Sequence, residues 1–404
     1  MGDKSKIEWT EATWNCLYGC SRVSPGCEHC YAERFVHRFA GPGQRYEGLT
    51  VLRKKGPVWT GKVKLAHDRL VVPLRWKRGR RIFVNSLSDV WHDEVPFEFI
   101  CAMYGIMAMC PHHTFQLLTK RSRRMVEWYE MTSELVDPVG HCVDLAGQYL
   151  CQLPNQGSIT WAEVDRIKKD ALPRAAGRAW PLDNVWLGVS AEDDRSLAAR
   201  AGHLLACEAV VHWISAEPLV GPLDLAPWIR AVEGCTECEW RGSYDELVAQ
   251  GGHDLCPDCR KEGTMTTYYG EDERREADPR IDWVVVGGES GNQSRVMDPR
   301  WVQDIEAACD QAGVPWLFKQ WGEWAPVGRG RVEVPLTDDG LMFDLPNPQE
   351  VVGTPREMMS VRGPQDSRHR LFRAIGDHWM ERVGKKTAGR LLGGQTKDGY
   401  PAIA

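Results

Sequence analysis

RIFVNSLSDVWHDEVPFEFICAMYGIMAMCPHHTFQLLTKR, residues 81–121, decides the fold. Its two ends, RIFVNSLSD (81–89) and FQLLTKR (115–121), are short apolar runs rich in β-branched and aromatic residues, and each closes on polar groups. PFEFICAMYGIMAMC between them reads as a helix. Continuous rather than alternating apolar runs mark strands covered on both faces, which is the habit of parallel sheets. The same unit recurs in VWLGVSAED (185–193), VVHWISAEP (210–218), DWVVVGGESG (282–291) and PWLFKQWGEW (315–324), with RSLAARAGHLLAC and DPRWVQDIEAACDQAG as helical stretches between them. The expected fold class is therefore α/β, either a β/α barrel or a doubly wound sheet, and a partial barrel fits better.

Such folds carry their chemistry at the carboxyl ends of the strands. Here those ends supply Asn85, Ser86, Ser88, Asp89, Thr119, Lys120, Ser190, Glu192, Ser215, Glu217, Glu289, Lys319 and Gln320, which one rim would gather. Two stretches interrupt the rhythm, a polar helical excursion at 130–180 and a cysteine-bearing insertion at 230–280. The barrel is expected over 1–327. The extension 328–404 starts Gly/Pro-rich and acidic, ends in the basic, helix-like RHRLFRAIGDHWMERVGKK, and is expected to pack on the barrel.

A chain of 404 residues with 43% hydrophobic content can bury a substantial core. The N-terminus MGDKSKIEWTEA lacks a basic-then-apolar leader, and the longest apolar run, around Ile100 to Cys110, is too short to cross a bilayer. The expectation is a soluble cytoplasmic protein without a membrane partner. The net charge of −6 argues against wholesale electrostatic binding to nucleic acid, although the local runs RWKRGRR (75–81) and KRSRR (120–124) leave a phosphate-facing surface open.

Fourteen cysteines in a reducing compartment do not form a disulfide framework, so grouped ones are read as metal ligands and scattered ones as small core residues. Cys235, Cys238, Cys256 and Cys259 form two CxxC knuckles, the spacing of a four-thiolate site closing a small ribbon. Structural zinc is expected there, with an auxiliary iron–sulfur cluster as the alternative using the same ligands. Cys16, Cys20, Cys27 and Cys30 form the other group, C-x3-C-x6-C-x2-C, in WNCLYGCSRVSPGCEHCYAER (14–34). Spacing alone permits another zinc knuckle. A position before the first strong strand of a barrel also permits a cluster at the barrel mouth, with one uncommitted iron facing a small molecule.

The blocks IEWTEATWN, GCSRVSPGCEHCYAER, FVNSLSDVWHDEVP, LLTKR, NVWLGVSAE, ISAEPLVGPL, DWVVVGGESG, PWLFKQWGEW and KKTAGRLLGG together resemble the phage-associated radical-SAM-like family of largely unassigned activity. The resemblance covers most of the chain outside the two insertions. It implies a partial β/α barrel of the radical-SAM type, with Cys20, Cys27 and Cys30 binding a [4Fe-4S] cluster whose fourth iron chelates S-adenosylmethionine. Cys16 departs from the family pattern, as a bystander thiol, a proton or hydrogen donor, or a replacement ligand. The resemblance also implies that Asn85, Ser86, Ser88, Asp89, Ser190, Glu192, Glu217 and Glu289 bind the cofactor. Lys120, Lys319 and His92 are candidate proton donors or phosphate contacts.

The phage association, the basic runs and the ribbon together suggest a base in viral DNA as substrate, an electron donor as second partner, and the host cytoplasm as location. The specific expectation is an isomerase that converts an N-linked aminoacyl thymidine, such as the glycinyl one, to its C-linked form. A base lyase or methyltransferase is the near alternative. Two further classes compete: a non-catalytic nucleic-acid-binding protein with two zinc sites, and a barrel hydrolase using the strand-end carboxylates.

Overall fold

The computed structural model describes residues 4–156, 159–229, 280–329, 345–352, 357–360 and 370–401, together with Cys238, Cys256, residues 259–261 and the backbone of short strands between these stretches. Seven strands, β1 (Ala12–Trp14), β2 (Arg81–Val84), β3 (Thr114–Thr119), β4 (Val185–Ser190), β5 (Val211–Ala216), β6 (Trp283–Gly287) and β7 (Trp316–Gln320), form one sheet. Every neighbouring pair is parallel. Spatial order equals chain order, so no strand reverses the direction of winding and the sheet curls into a half-barrel. That order settles the choice between barrel-like and doubly wound, because a doubly wound sheet has a point where the order turns back.

Six of these strands coincide with the apolar runs. β1 does not: ATW is three residues long, and its pairing to β2, Ala12 against Ile82 and Trp14 against Val84, is what makes it a strand.

The two faces of the sheet bury different layers. Ile82, Val84, Phe115, Leu117, Leu187, Val189, Ile214, Val284, Val286 and Phe318 face outward into a core shared with the helices. Those helices are α2 (Phe97–Ala108) after β2, α3 (Ser122–Ser133) after β3, α6 (Asp194–Leu205) after β4 and α7 (Pro299–Ala312) after β6. The alternate residues Phe83, Trp186, Trp213, Trp283, Val285 and Leu317 fill the concave side with Trp9. Gly188 is required there: a Cβ would lie 2.4 Å from the Trp213 ring.

The excursion at 130–180 is helical, as α4 (Pro138–Gln152) and α5 (Trp161–Ala175). Asp137 and Thr160 cap them by accepting the Gly140 and Glu163 N–H groups. The insertion at 230–280 contributes a three-stranded antiparallel sheet ordered 241–243, 232–235, 265–268.

The extension differs from expectation. RHRLFRAIGDHWMERVGKK is a β-hairpin, His369–Ile375 paired with His378–Arg382, within a four-stranded antiparallel sheet. Burial alternates there, with Phe372 and Ala374 in the core and Leu371, Arg373 and Ile375 half-buried between them, and Gly376 at φ +54° makes the turn. Among the described residues of the extension, only Pro348–Val351 and Lys385–Ala388 are helical. Trp324–Arg329, which opens this sheet, runs across the boundary expected at 327/328. The end of the chain does pack on the barrel. Phe318 donates to the Lys397 carbonyl along β7's free edge, and Tyr400 stacks on Trp283 at 5.3 Å beneath the concave core.

No described helix is long and apolar enough to cross a membrane.

Candidate active site

A cavity of about 540 Å³ opens at the carboxyl ends of the strands. Cys20, Cys27 and Cys30 line it together with Asn85, Ser86, Ser88 and Asp89 from the end of β2. Lys120, Ser190, Glu217, Glu289, Lys319 and Gln320 contribute from the later strands. Thus the strand-end residues and three of the four N-terminal cysteines meet at one place.

The cysteine loop lies across the barrel mouth because side chains from separate strands hold it. Glu192, after β4, accepts the Gly26 N–H at 3.1 Å. Arg295, after β6, donates to the Pro25 carbonyl at 3.0 Å, and His29 Nδ1 meets Glu289 Oε2 at 3.0 Å. Arg121, after β3, donates to the Ser21 carbonyl and hydroxyl, whose oxygen also meets His92 Nε2 at 3.0 Å. Gly26 is needed for the close approach, since a Cβ would come within 2.9 Å of the Glu192 carboxyl carbon.

Several roles expected from the sequence therefore change. Glu192 has a fully buried side chain that does not line the cavity; it holds Arg200 at 2.8 Å and Lys120 at 3.5 Å behind the loop. Burial pushes its carboxyl up, but Lys120 and Arg200 outweigh that and hold it down to about 2. Glu289 is occupied by Arg295 and His29, which against burial keep it below the usual carboxylate range. Asp89 accepts from Thr119, the Lys120 and Trp91 N–H groups and Arg121. Ser88 donates to the Leu17 carbonyl at 3.0 Å, and Ser86 pairs with Asn15. These five residues build the mouth and leave little capacity for a cofactor.

Cys16 is likewise displaced from the chemistry. It is fully buried in the outer core, does not line the cavity, and its N–H donates to Asn85 Oδ1 at 3.0 Å. Burial pushes its thiol well above the ordinary cysteine range, so the bystander role is the one its position supports.

Four groups keep capacity toward the cavity. Asn85 sits at φ +60°, and its Nδ2 is buried without a partner. Gln320 gives its Nε2 to the Gly288 carbonyl at 2.8 Å and leaves Oε1 buried and unpartnered. An orphaned donor and an orphaned acceptor on the walls of one cavity are what a polar ligand would satisfy. Lys319 pairs with Glu217 Oε1 at 2.8 Å, and Lys120 with Ser190. Gly287 admits that glutamate, because a Cβ would lie 2.5 Å from Glu217 Oε1.

The thiols divide into two kinds. Cys238, Cys256 and Cys259 have sulfurs all within 4.8 Å of one another, with Cys238 Sγ 3.6 Å from Cys256 Sγ. A tetrahedral zinc with 2.3 Å bonds sets its sulfurs about 3.8 Å apart, so this trio fits a single metal ion. The side chain of Cys235, the expected fourth ligand, lies outside the described residues. Cys20, Cys27 and Cys30 line one cavity, but their sulfurs do not all fall within that distance of one another. Burial, with Asp89 and Cys30 beside it, pushes the Cys20 thiol up to about 12 while Arg121 opposes.

His29, Arg121, Arg200 and Arg295, which carry much of this architecture, do not stand out in the sequence. Three are isolated charges, and Arg121 is masked inside a basic run; only His29, between Cys27 and Cys30, is flagged by its neighbours.

Fold and site together define a parallel α/β half-barrel with a cysteine-lined cavity at the carboxyl ends of its strands and a separate thiol trio able to hold a metal ion. By the match of a family model over residues 4–401, the chain belongs to the family described as protein of unknown function DUF5131. No curated protein and no solved structure matches it.

Proposed function

We propose that this chain is a radical S-adenosylmethionine enzyme that modifies a base in DNA. The observation that carries the reading is the joint lining of one cavity by Cys20, Cys27 and Cys30 and by the strand-end groups of a half-barrel. The three cysteines would hold a [4Fe-4S] cluster. Asn85 Nδ2 and Gln320 Oε1 would satisfy the polar parts of S-adenosylmethionine. Bound together, the two groups supply hydrogen-atom abstraction from an unactivated C–H bond. Trp9, Phe83 and Trp59 line the same cavity and would exclude water and stack on a base. The Lys319–Glu217 pair can hold or return a proton beside it.

The specific reaction we propose is the isomerisation of an N-linked aminoacyl thymidine, for example the glycinyl one, to its C-linked form. The bond from the thymine methylene to nitrogen is exchanged for one to the α-carbon, and a hydrogen moves from that carbon to nitrogen, so the formula is unchanged. The ribbon would hold zinc and shape the choice of partner.

The test is metal and sulfide content with an electron paramagnetic resonance spectrum on anaerobically purified protein. We expect about four irons and four sulfides whose spectrum changes on adding S-adenosylmethionine. Replacing Cys20, Cys27 or Cys30 by Ala should abolish iron and leave zinc, whereas Cys256→Ala should remove zinc and leave iron. Two zincs and no iron after anaerobic reconstitution would overturn the reading and favour a non-catalytic binding protein.

A further inference from the structure

The charge of this chain is concentrated in a place that neither basic run marks. Residues 34–64 carry eight Lys and Arg against one acidic residue, Glu47, in a protein of net charge −6. With Tyr31–Glu33 they form a lobe made of α1 (Tyr31–His37), whose buried Glu33 is the lobe's second acidic residue, a loop, and the hairpin Thr50–Arg53/Gly56–Trp59. Lys54 and Lys55 are the exposed tip of that hairpin, with Gly56 closing the turn. Among the described residues Arg38, Arg53, Lys54, Lys55 and Lys62 form no ion pair, and all five are exposed.

The lobe is seated on the cysteine loop. Buried Glu33 of α1 accepts from Arg22 of that loop and from the Trp59 N–H of the hairpin. Gly19, beside Cys20, touches the backbone of Lys62 so closely that a Cβ would lie 2.2 Å from its carbonyl oxygen. Tyr31, 58% exposed, and Trp59 also line the cavity. The cationic surface is thus continuous with the mouth and fixed rigidly to it. RWKRGRR, by contrast, precedes β2 and so lies at the amino ends of the strands, away from the cavity. In KRSRR, Arg121 and Arg124 are spent on internal contacts, and Lys120 lies inside the cavity beside Ser190 and Glu192.

We propose that the lobe 34–64 is the docking surface for a DNA duplex, its cations following the phosphates while one base is turned out past Tyr31 into the cavity. This rests on the reading of the substrate as DNA and adds where the strand runs. Free cations on one rigid lobe, on a protein whose total charge would repel a polyanion, suit a phosphate backbone, and the adjacent exposed ring suits an extruded base.

The test is fluorescence anisotropy of the full-length protein with a labelled 20-base-pair duplex of ordinary bases, between 50 and 200 mM salt. Each phosphate contact makes affinity fall about 3.5-fold over that interval. A variant carrying Lys54→Gln, Lys55→Gln and Lys62→Gln should bind more weakly at low salt, and its fall should be smaller by roughly 40-fold in total. A variant carrying Lys77→Gln and Arg78→Gln should match the wild type. Equal affinity and salt dependence in the lobe variant and the wild type, or no salt-dependent binding at all, would overturn the proposal. Neither readout needs a cluster, so this proposal can fail while the iron measurement succeeds, and the reverse.

Discussion

Replacing Glu192 by Gln isolates the electrostatics that hold the cysteine loop. The carboxylate is fully buried between Arg200 and Lys120, and both cations are themselves mostly buried. Its drop from the ordinary 4.5 to about 2 corresponds to about 3 kcal/mol of native-state stabilisation, at about 1.4 kcal/mol per pH unit. Breaking a buried pair so that one charge is left uncompensated costs about 3–5 kcal/mol, which agrees. Because the folded value is depressed, this stabilisation is present above about pH 4.5 and is lost as pH falls toward 2. Calorimetry at pH 7 should therefore show Glu192→Gln melting about 4 °C below the wild type, given about 2 cal/mol/K of unfolding entropy per residue. At pH 3 the folded carboxylate is still mostly ionised but the unfolded one is protonated, so folding must release that proton and the gap should narrow to roughly 1.5 kcal/mol, or about 2 °C. An equal gap at both pH values, or none at pH 7, would refute the argument that paired charge holds the loop.

Two further outcomes follow from packing. Gly26→Ala should cost about 1–3 kcal/mol and lower iron retention, because its Cβ meets the Glu192 carboxyl; normal melting and normal iron content would show that the loop can shift freely. Tyr400→Ala removes the stack on Trp283 and the Arg81 guanidinium lying 4.1 Å above the phenol ring. We expect about 2–3 kcal/mol of lost stability, about 3 °C in melting temperature, with loading of the proposed cluster unchanged. A loss of iron in that variant would show that the base of the barrel and its mouth are coupled.

The class of fold was legible in the amino-acid order, because strands buried on both faces must be continuously apolar, and six such runs stand out between Arg81 and Gln320. That order also determined which residues end those strands, since the polar residues after each run have nowhere else to go. It misread 369–382 as helix, because Leu371, Phe372, Ala374 and Ile375 recur at helix-like spacing and only the pairing of His369–Ile375 with His378–Arg382 across Gly376 makes them strands. It missed β1, because three residues carry no periodicity and only pairing with Ile82 and Val84 makes them a strand. Tertiary structure alone decided which strand-end groups are free. Asp89, Glu192 and Glu289 look like ligand groups in a list of residues, yet Arg121, Arg200, Arg295 and His29 reach them from separate elements and use them to fix the cysteine loop. It likewise placed Cys16 in the core, only four residues before Cys20 at the cavity. Spacing along the chain can report which residues share an element; which charges meet across a barrel mouth depends on how far the sheet curls and on what covers it.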